Sequence, residues 1–332
     1  MRPCAFALNP LKINTMENSR RNFLKKTTIG SAALLATPAV FGSVAASKQL
    51  ITTDAVTPFK LKYAPEFGRF REHAGQDLVD QIKFCQDMGF RAMFDNGLMG
   101  RLTSDQEKIA NELQRRGMDL GPFVLYADFS TTSFVLNKPE TKEFVINKMK
   151  EGVEVAKRTG VKWALVVPGR YDERLHRDIQ TANIVDNLRY CCDVVEKEGL
   201  TIVLEPLNTL RDHPGLILTT IPQAYSICRA VNRPSCKIVM DIYHQQITEG
   251  NLIPNMDAAW SEIAAFHCGD HPGRKEPTTG EINYKNVFKH IHSKNYQGVI
   301  CMEHGISIKG KEGEVRLIQA YREVDQFENL TM

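Results

Sequence analysis

The sequence predicts a single-domain (β/α)8 barrel, a TIM barrel, and three observations carry that prediction. Apolar runs of strand-forming residues alternate with amphipathic helical stretches eight times over about 270 residues, the size of such a barrel. A helix–glycine–strand joint recurs at Gly89, Gly117, Gly160 and Gly199. The last four apolar runs each end in a residue type that binds metal, and parallel sheets build their sites at that C-terminal edge.

The chain does not begin as a domain. Ser19-Arg20-Arg21-Asn22-Phe23-Leu24-Lys25-Lys26 is a twin-arginine export signature. A mildly apolar stretch from Thr27 to Phe41 follows, and the small residues of Val44-Ala45-Ala46 suit cleavage after Ala46. The stretch carries Gly30 and Pro38 and falls short of the roughly 20 apolar residues of a membrane span. Residues 1–46 are therefore expected to be a signal peptide, and 1–15 would lie upstream of the true start if Met16 begins the chain. The barrel is expected over 47–332, in a protein exported folded by the twin-arginine translocase to the periplasm.

Without residues 1–46 the chain has 36 basic and 38 acidic residues, a net of −2. That gives no electrostatic footprint for nucleic acid. Seven cysteines remain, an odd number without CxxC spacing, as in a protein folded in a reducing compartment. Nothing in the sequence fixes whether the chain acts as a monomer or as a homo-oligomer.

Taken in order, Phe59–Ala64 reads as the first strand and Gln76–Met88 as an amphipathic helix stopped by Gly89. Phe90–Phe94 is the second strand, Ser104–Arg116 a helix, and Met118–Leu125 the third strand. Lys138–Thr159 is a long helix, and Trp163–Val167 a strand halted by Pro168-Gly169. A helix over Asp172–Glu198 leads to the fifth strand, Thr201-Ile202-Val203-Leu204, which runs into Glu205. Such a run, apolar on both faces, is a buried strand. Pro222 opens a helix to Val231, and Lys237–Met240 is a strand ending at Asp241. A short helix near Asp257–Glu262 precedes the strand Ile263–Phe266, which ends at His267. Asn283–Lys294 is helical, Gly298–Met302 is a strand ending at Glu303, and Glu312–Phe327 closes the chain as a helix.

Glu205, Asp241, His267 and Glu303 thus occupy equivalent positions. One imidazole with three carboxylates suits a fairly hard divalent ion, Mn²⁺ or Mg²⁺ first, with Co²⁺ and Zn²⁺ as alternatives. Four protein ligands leave room for two substrate oxygens.

Further residues carry a resemblance. Glu205-Pro206-Leu207-Asn208, Asp212-His213-Pro214-Gly215, Asp241-Ile242-Tyr243-His244-Gln245, Asp270-His271-Pro272-Gly273-Arg274 and Gly280-Glu281-Ile282-Asn283-Tyr284 resemble the xylose isomerase-like barrels, within them the hydroxypyruvate isomerases. The resemblance runs from about Phe59 to Glu303 and is strongest from Thr201 onward. It implies an isomerase that works by enediolate proton transfer on a small hydroxy-carbonyl compound, a carbohydrate or hydroxy-keto acid. It gives Glu205 and Glu303 the roles of ligand and proton carrier, and has His244 bind substrate; Arg274, in a loop rich in Pro and Gly at the active face, suits a substrate carboxylate or hydroxyl pair. An ion pair of Arg274 with Asp270 or Glu276 is the structural alternative. One departure bears on the substrate: the resembling isomerases carry glutamine at the third ligand, whereas His267 is like the ketose 3-epimerases. Epimerisation of a keto-sugar is therefore the alternative reaction. An endonuclease IV-like hydrolase and a non-catalytic sugar-binding barrel explain the residues less well.

Overall fold

A computed structural model describes residues 56–327, so the expected leader lies outside the described residues. Among the described residues nine strands are present where eight were expected: β1 (Lys62–Ala64), β2 (Ala92–Met93), β3 (Asp119–Leu120), β4 (Phe123–Ala127), β5 (Trp163–Val167), β6 (Thr201–Leu204), β7 (Cys236–Asp241), β8 (Ile263–Cys268) and β9 (Val299–Met302). The extra one comes from Gly121-Pro122, which splits the expected third strand into β3 and β4. Pro122 has no N–H for a ladder, so pairing stops there and resumes beyond it.

Seven strands form one parallel sheet in the order β1-β9-β8-β7-β6-β5-β4, and β2 pairs with β3. The two pieces close into a ring. Glu66 bridges to Phe94 beside β1, and Val124 N donates to Asn96 O at 3.3 Å beside β4.

The helices begin and end as their sequences dictate. Asp77 caps Leu78–Asp87 by accepting from the N–H groups of Val79 and Asp80. Pro139 opens the helix Pro139–Thr159, and Gly160, with φ +71, ends it in the left-handed conformation. Two short helices were not expected, Arg71–Ala74 and Ile242–Thr248. The second arises because Asp241, the last residue of β7, is also the N-cap of the helix, so the chain turns without a loop. The short helix placed near Asp257–Glu262 is longer and starts earlier, as Leu252–Ala259 with a 3₁₀ turn Trp260–Glu262. The seven cysteines among the described residues are all buried and unpaired.

Two apolar layers result. A large one packs strands against helices, through residues such as Ile202, Leu204, Ile238, Met240 and Phe266. A smaller one fills the barrel and holds Ala64, Phe94, Val203, Val239, Ala265, Val299 and Cys301. Gly121 lies against this inner layer: a Cβ there would sit 2.8 Å from Cys301 Sγ and 2.9 Å from Phe94 Cβ.

Gly121→Ala should therefore destabilise the protein by about 1–3 kcal/mol through overpacking, measured by denaturant unfolding. Gly100→Ala has open space around it and should be near neutral. Equal effects of the two would show that the barrel interior is not packed as described.

Candidate metal centre and active site

Strand parity brings the four ligand types together. Side chains alternate between faces along a strand. In β6 to β9 the inward residues include Val203, Val239, Ala265 and Cys301. Two positions beyond each stand Glu205, Asp241, His267 and Glu303, so all four face inward at the C-terminal mouth. Register sets their height, since Asp241 pairs with His267 and His267 with Cys301. One ligand atom from each of the four lies within 4.8 Å of the others. Asp241 and His267 are fully buried, Glu205 is nearly so, and the Glu303 side chain keeps 20% exposure toward the mouth.

Each group is aimed by its neighbours. Asp241 Oδ1 accepts from Tyr243 N at 2.8 Å and His244 N at 3.3 Å, which leaves Oδ2 facing the cluster. His267 Nδ1 lies 2.9 Å from Glu205 Oε1 and 3.1 Å from Glu303 Oε2. Glu303 Oε1 accepts from Asn96 Nδ2 at 2.6 Å. Arg274 Nη2 donates to Glu303 Oε2 at 2.7 Å and Asp241 Oδ2 at 3.1 Å.

Arg274 thus does not pair with Asp270 or Glu276. Asp270 accepts from Gly280 N and Ile282 N, and Glu276 from Ser307 N. Both hold the loop in which Arg274 sits. Arg274 itself has φ +50, a left-handed backbone unusual for a residue with a Cβ, and its guanidinium lies 4.9 Å over the ring of Tyr243.

His244 lies on the first turn of the helix Ile242–Thr248 rather than in a loop. Its Nδ1 faces Asn208, 2.6 Å from Nδ2 and 3.3 Å from the backbone N–H. Facing two donors, Nδ1 is the acceptor, and the ring proton sits on Nε2, which is 3.5 Å from Asp241 Oδ2. Burial, helped by Arg274, lowers the His244 pKa to about 4, so the imidazole is neutral at pH 7.

The charges push the groups apart. Burial and then Glu303 raise Glu205, with His267 opposing. Burial raises Asp241 to about 6 against the pull of Arg274. Burial would raise Glu303 too, but His267 and Arg274 hold it well below the ordinary carboxylate range. Burial disfavours a charge on His267, yet Glu303 and Glu205 outweigh it and keep the ring protonated in the protein alone.

The residues fit a divalent ion. The donor set is three oxygens and one nitrogen, converging from four adjacent strands. Without an ion, His267 and Arg274 offer two positive charges against three carboxylates. A divalent ion that displaced the His267 proton would bring the balance to neutrality.

Sequence reasoning missed three neighbours. Asn96 and Glu66 continue the inward rows Ala92-Phe94 and Ala64 beyond their strands, so parity extended past the strand end would have found them. Glu66 is itself raised by burial, against Arg69, with Glu303 adding to the rise. Asn208 stood in the quoted motif, but only the fold shows that it orients His244.

Comparison with known proteins places this geometry. A family described as xylose isomerase-like TIM barrel matches residues 70–322. Hydroxypyruvate isomerase of Escherichia coli is 36% identical over 154 residues, 46% of this chain and 57% of that protein. 2-Oxo-tetronate isomerase of Pectobacterium atrosepticum is 29% identical over 175 residues, 53% of this chain and 66% of that one. The matches thus span less than two thirds of those relatives' own length. Among solved structures, a 3-keto-D-glucoside 4-epimerase from E. coli superposes with a TM-score of 0.64 at 19% identity, over 80% of this chain and 98% of that one.

Metal binding should release roughly one proton per ion at pH 7, because a ligand imidazole must be neutral and His267 is charged beforehand. Affinity should fall further below about pH 6, where Asp241 also takes up a proton. Calorimetry of Mn²⁺ binding in buffers of different ionisation enthalpy measures this; binding without proton release would contradict the ligand set.

Proposed function

The chain belongs to the xylose isomerase-like TIM barrel family, and from that premise we propose that it is a divalent-metal-dependent isomerase of a small hydroxy-carbonyl substrate, of the hydroxypyruvate isomerase kind. The observation that carries the proposal is the buried cluster of Glu205, Asp241, His267 and Glu303. Mn²⁺ or Mg²⁺ suits its three oxygens and single nitrogen best. Held there, such an ion would draw electron density from the substrate's carbonyl and adjacent hydroxyl, and so acidify the C–H between them.

The chain's own residues then move one proton. Glu205 and Glu303 come from β6 and β9, which β7 and β8 separate, so they approach a substrate from two sides. Their environments differ: Glu303 is held ionised by His267 and Arg274, whereas burial makes Glu205 easier to protonate. A pair set apart in this way suits one group that removes a proton and one that returns it. The Nε2–H of His244 is placed to donate to a substrate oxygen beside Asp241. Arg274, with its guanidinium at the mouth, suits a substrate carboxylate or hydroxyl pair.

Return of the proton to the neighbouring carbon is isomerisation, and its return to the opposite face of the same carbon is epimerisation. His267 in place of the glutamine of the resembling isomerases favours the second reading. A phosphodiester hydrolase is less well supported, since the cluster holds a single imidazole. Export is part of the proposal: Arg20-Arg21 and the small residues before Ser47 support a cleaved leader and a periplasmic protein. Among the described residues no helix is long and apolar enough to cross a membrane.

Glu205→Gln and Glu303→Gln each keep shape and one coordinating oxygen but lose the base. Each should cut turnover by about 10²- to 10⁴-fold with the fold intact. One of the two should still exchange the substrate proton with deuterated water without forming product, read by proton NMR. Turnover near the parent rate in both variants would rule out two-carboxylate proton transfer. Separately, replacing Arg20 and Arg21 by lysine should abolish periplasmic appearance in a fractionation assay, and unchanged export would refute the twin-arginine reading.

A further inference from the structure

Three buried thiols meet at the end of the barrel away from the mouth. Cys192 lies in the last turn of the helix Arg177–Val195, Cys228 in the last turn of Ile221–Val231, and Cys236 opens β7. The chain between them is folded to bring them together. Asn232, with φ +54, ends its helix in the left-handed conformation, and its N–H donates to Cys228 O at 2.9 Å. The turn then closes with Cys236 N donating to Arg233 O at 3.2 Å. Arg233 clamps this turn onto the end of the first helix: Nε donates to Glu196 Oε2 at 2.7 Å and Nη1 to Asp193 Oδ1 at 2.9 Å. The Cys236 thiol is thereby hydrogen-bonded to Cys192 on one side and to Cys228 on the other. The Ser235 hydroxyl, buried and without an oxygen or nitrogen partner, lies beside Cys192 as well.

The cysteines are not equivalent. The hydrogen bond from Cys236 draws Cys192 below the ordinary thiol range, with Ser235 and Arg233 adding to it against burial. Bonds to Cys192 and Cys228, and then burial, raise Cys236, so it keeps its proton. Burial raises Cys85, Cys191, Cys268 and Cys301. The thiolate is the nucleophile, and Cys192 holds it with a second thiol already in contact. The neighbouring Arg233–Asp193 pair is half exposed, with side-chain accessibilities of 34% and 59%, and surface pairs of this kind part readily.

We propose that Cys192 and Cys236 are a redox pair that a hydroperoxide closes into a disulfide. The Cys192 sulfur attacks one peroxide oxygen and the O–O bond breaks. The other oxygen leaves as hydroxide and becomes water with the proton that Cys192 had released. Cys192 is then a sulfenic acid. The Cys236 sulfur attacks the Cys192 sulfur, the S–O bond breaks, and its oxygen departs as water with the Cys236 proton. Two thiols lose two electrons in all, and the peroxide gains them. The new bond would tie the end of one helix to the start of β7, which delivers Asp241, and the loop it closes contains β6 and Glu205. It would brace two of the four ligand strands by restricting the unfolded chain.

The test treats the full chain with stoichiometric hydrogen peroxide, alkylates it under denaturing conditions and maps it by mass spectrometry without reduction. A Cys192–Cys236 linked peptide should appear, lighter than the two free peptides by two hydrogens, and vanish with dithiothreitol. The oxidised protein should unfold about 5 °C or more above the reduced one. Cys236→Ser should stop at a Cys192 sulfenic acid, captured by dimedone, while Cys228→Ser should still form the bond. The parent map decides even if a variant fails to fold. A Cys228–Cys236 link, a link through Cys191, equal oxidation of all the cysteines, or seven thiols that all remain free would overturn the proposal.

Discussion

Glu205, Asp241 and Glu303 place three carboxylates around one buried point, within 4.8 Å of each other and of His267. Like charges at that separation cannot all stay ionised without cations beside them. Much of the surrounding structure answers that constraint. His267 inserts a ring nitrogen between Glu205 and Glu303, Arg274 spans Asp241 and Glu303, and Asn96 and two backbone N–H groups occupy the outer oxygens. The arrangement is costly for a stable core and useful for a site: replacing such a cluster with apolar residues is the cheaper way to build a barrel.

The scaffold holds the cluster from behind through polar anchors. The loop after β8 returns on itself, with Asp270 N donating to Lys275 O at 2.7 Å and Gly305 N to Arg274 O at 2.9 Å. Its two acids spend their oxygens on backbone and Ser307 rather than on Arg274. These bonds fix a residue whose left-handed backbone costs roughly 1 kcal/mol. Behind Glu303, His304 donates to or accepts from Tyr321 at 2.7 Å, which ties the end of β9 to the last helix. Precision at the mouth thus depends on bonds that do not touch the reacting atoms.

Much of this was legible in the sequence because the barrel repeats. Eight apolar runs and four joint glycines gave the alternation, and four ligand types at equivalent ends gave the cluster. Backbone chemistry at single residues was less legible. Pro122 splits a strand that the apolar pattern runs through unbroken, and Asp241 serves as ligand type and helix cap together, so a helix follows where a loop was expected. Arg274 was found by its neighbours in a motif, but its partners depend on how the loop folds, and Asp270 and Glu276, close in sequence, turn out to be committed elsewhere. Asn96 and Glu66 lie just past strand ends and are found only when the inward rows Ala92-Phe94 and Ala64 are carried beyond the apolar runs.

The central claim is that four strand-end residues hold one ion with a single imidazole among its ligands. Electron spin-echo spectroscopy of the Mn²⁺-loaded protein tests it most directly, since it detects nitrogen bound to the ion. The account predicts modulation from one nitrogen, shifted by ¹⁵N-histidine labelling and absent in His267→Gln with Mn²⁺ still bound. Modulation that survives His267→Gln, or none in the parent, would contradict it.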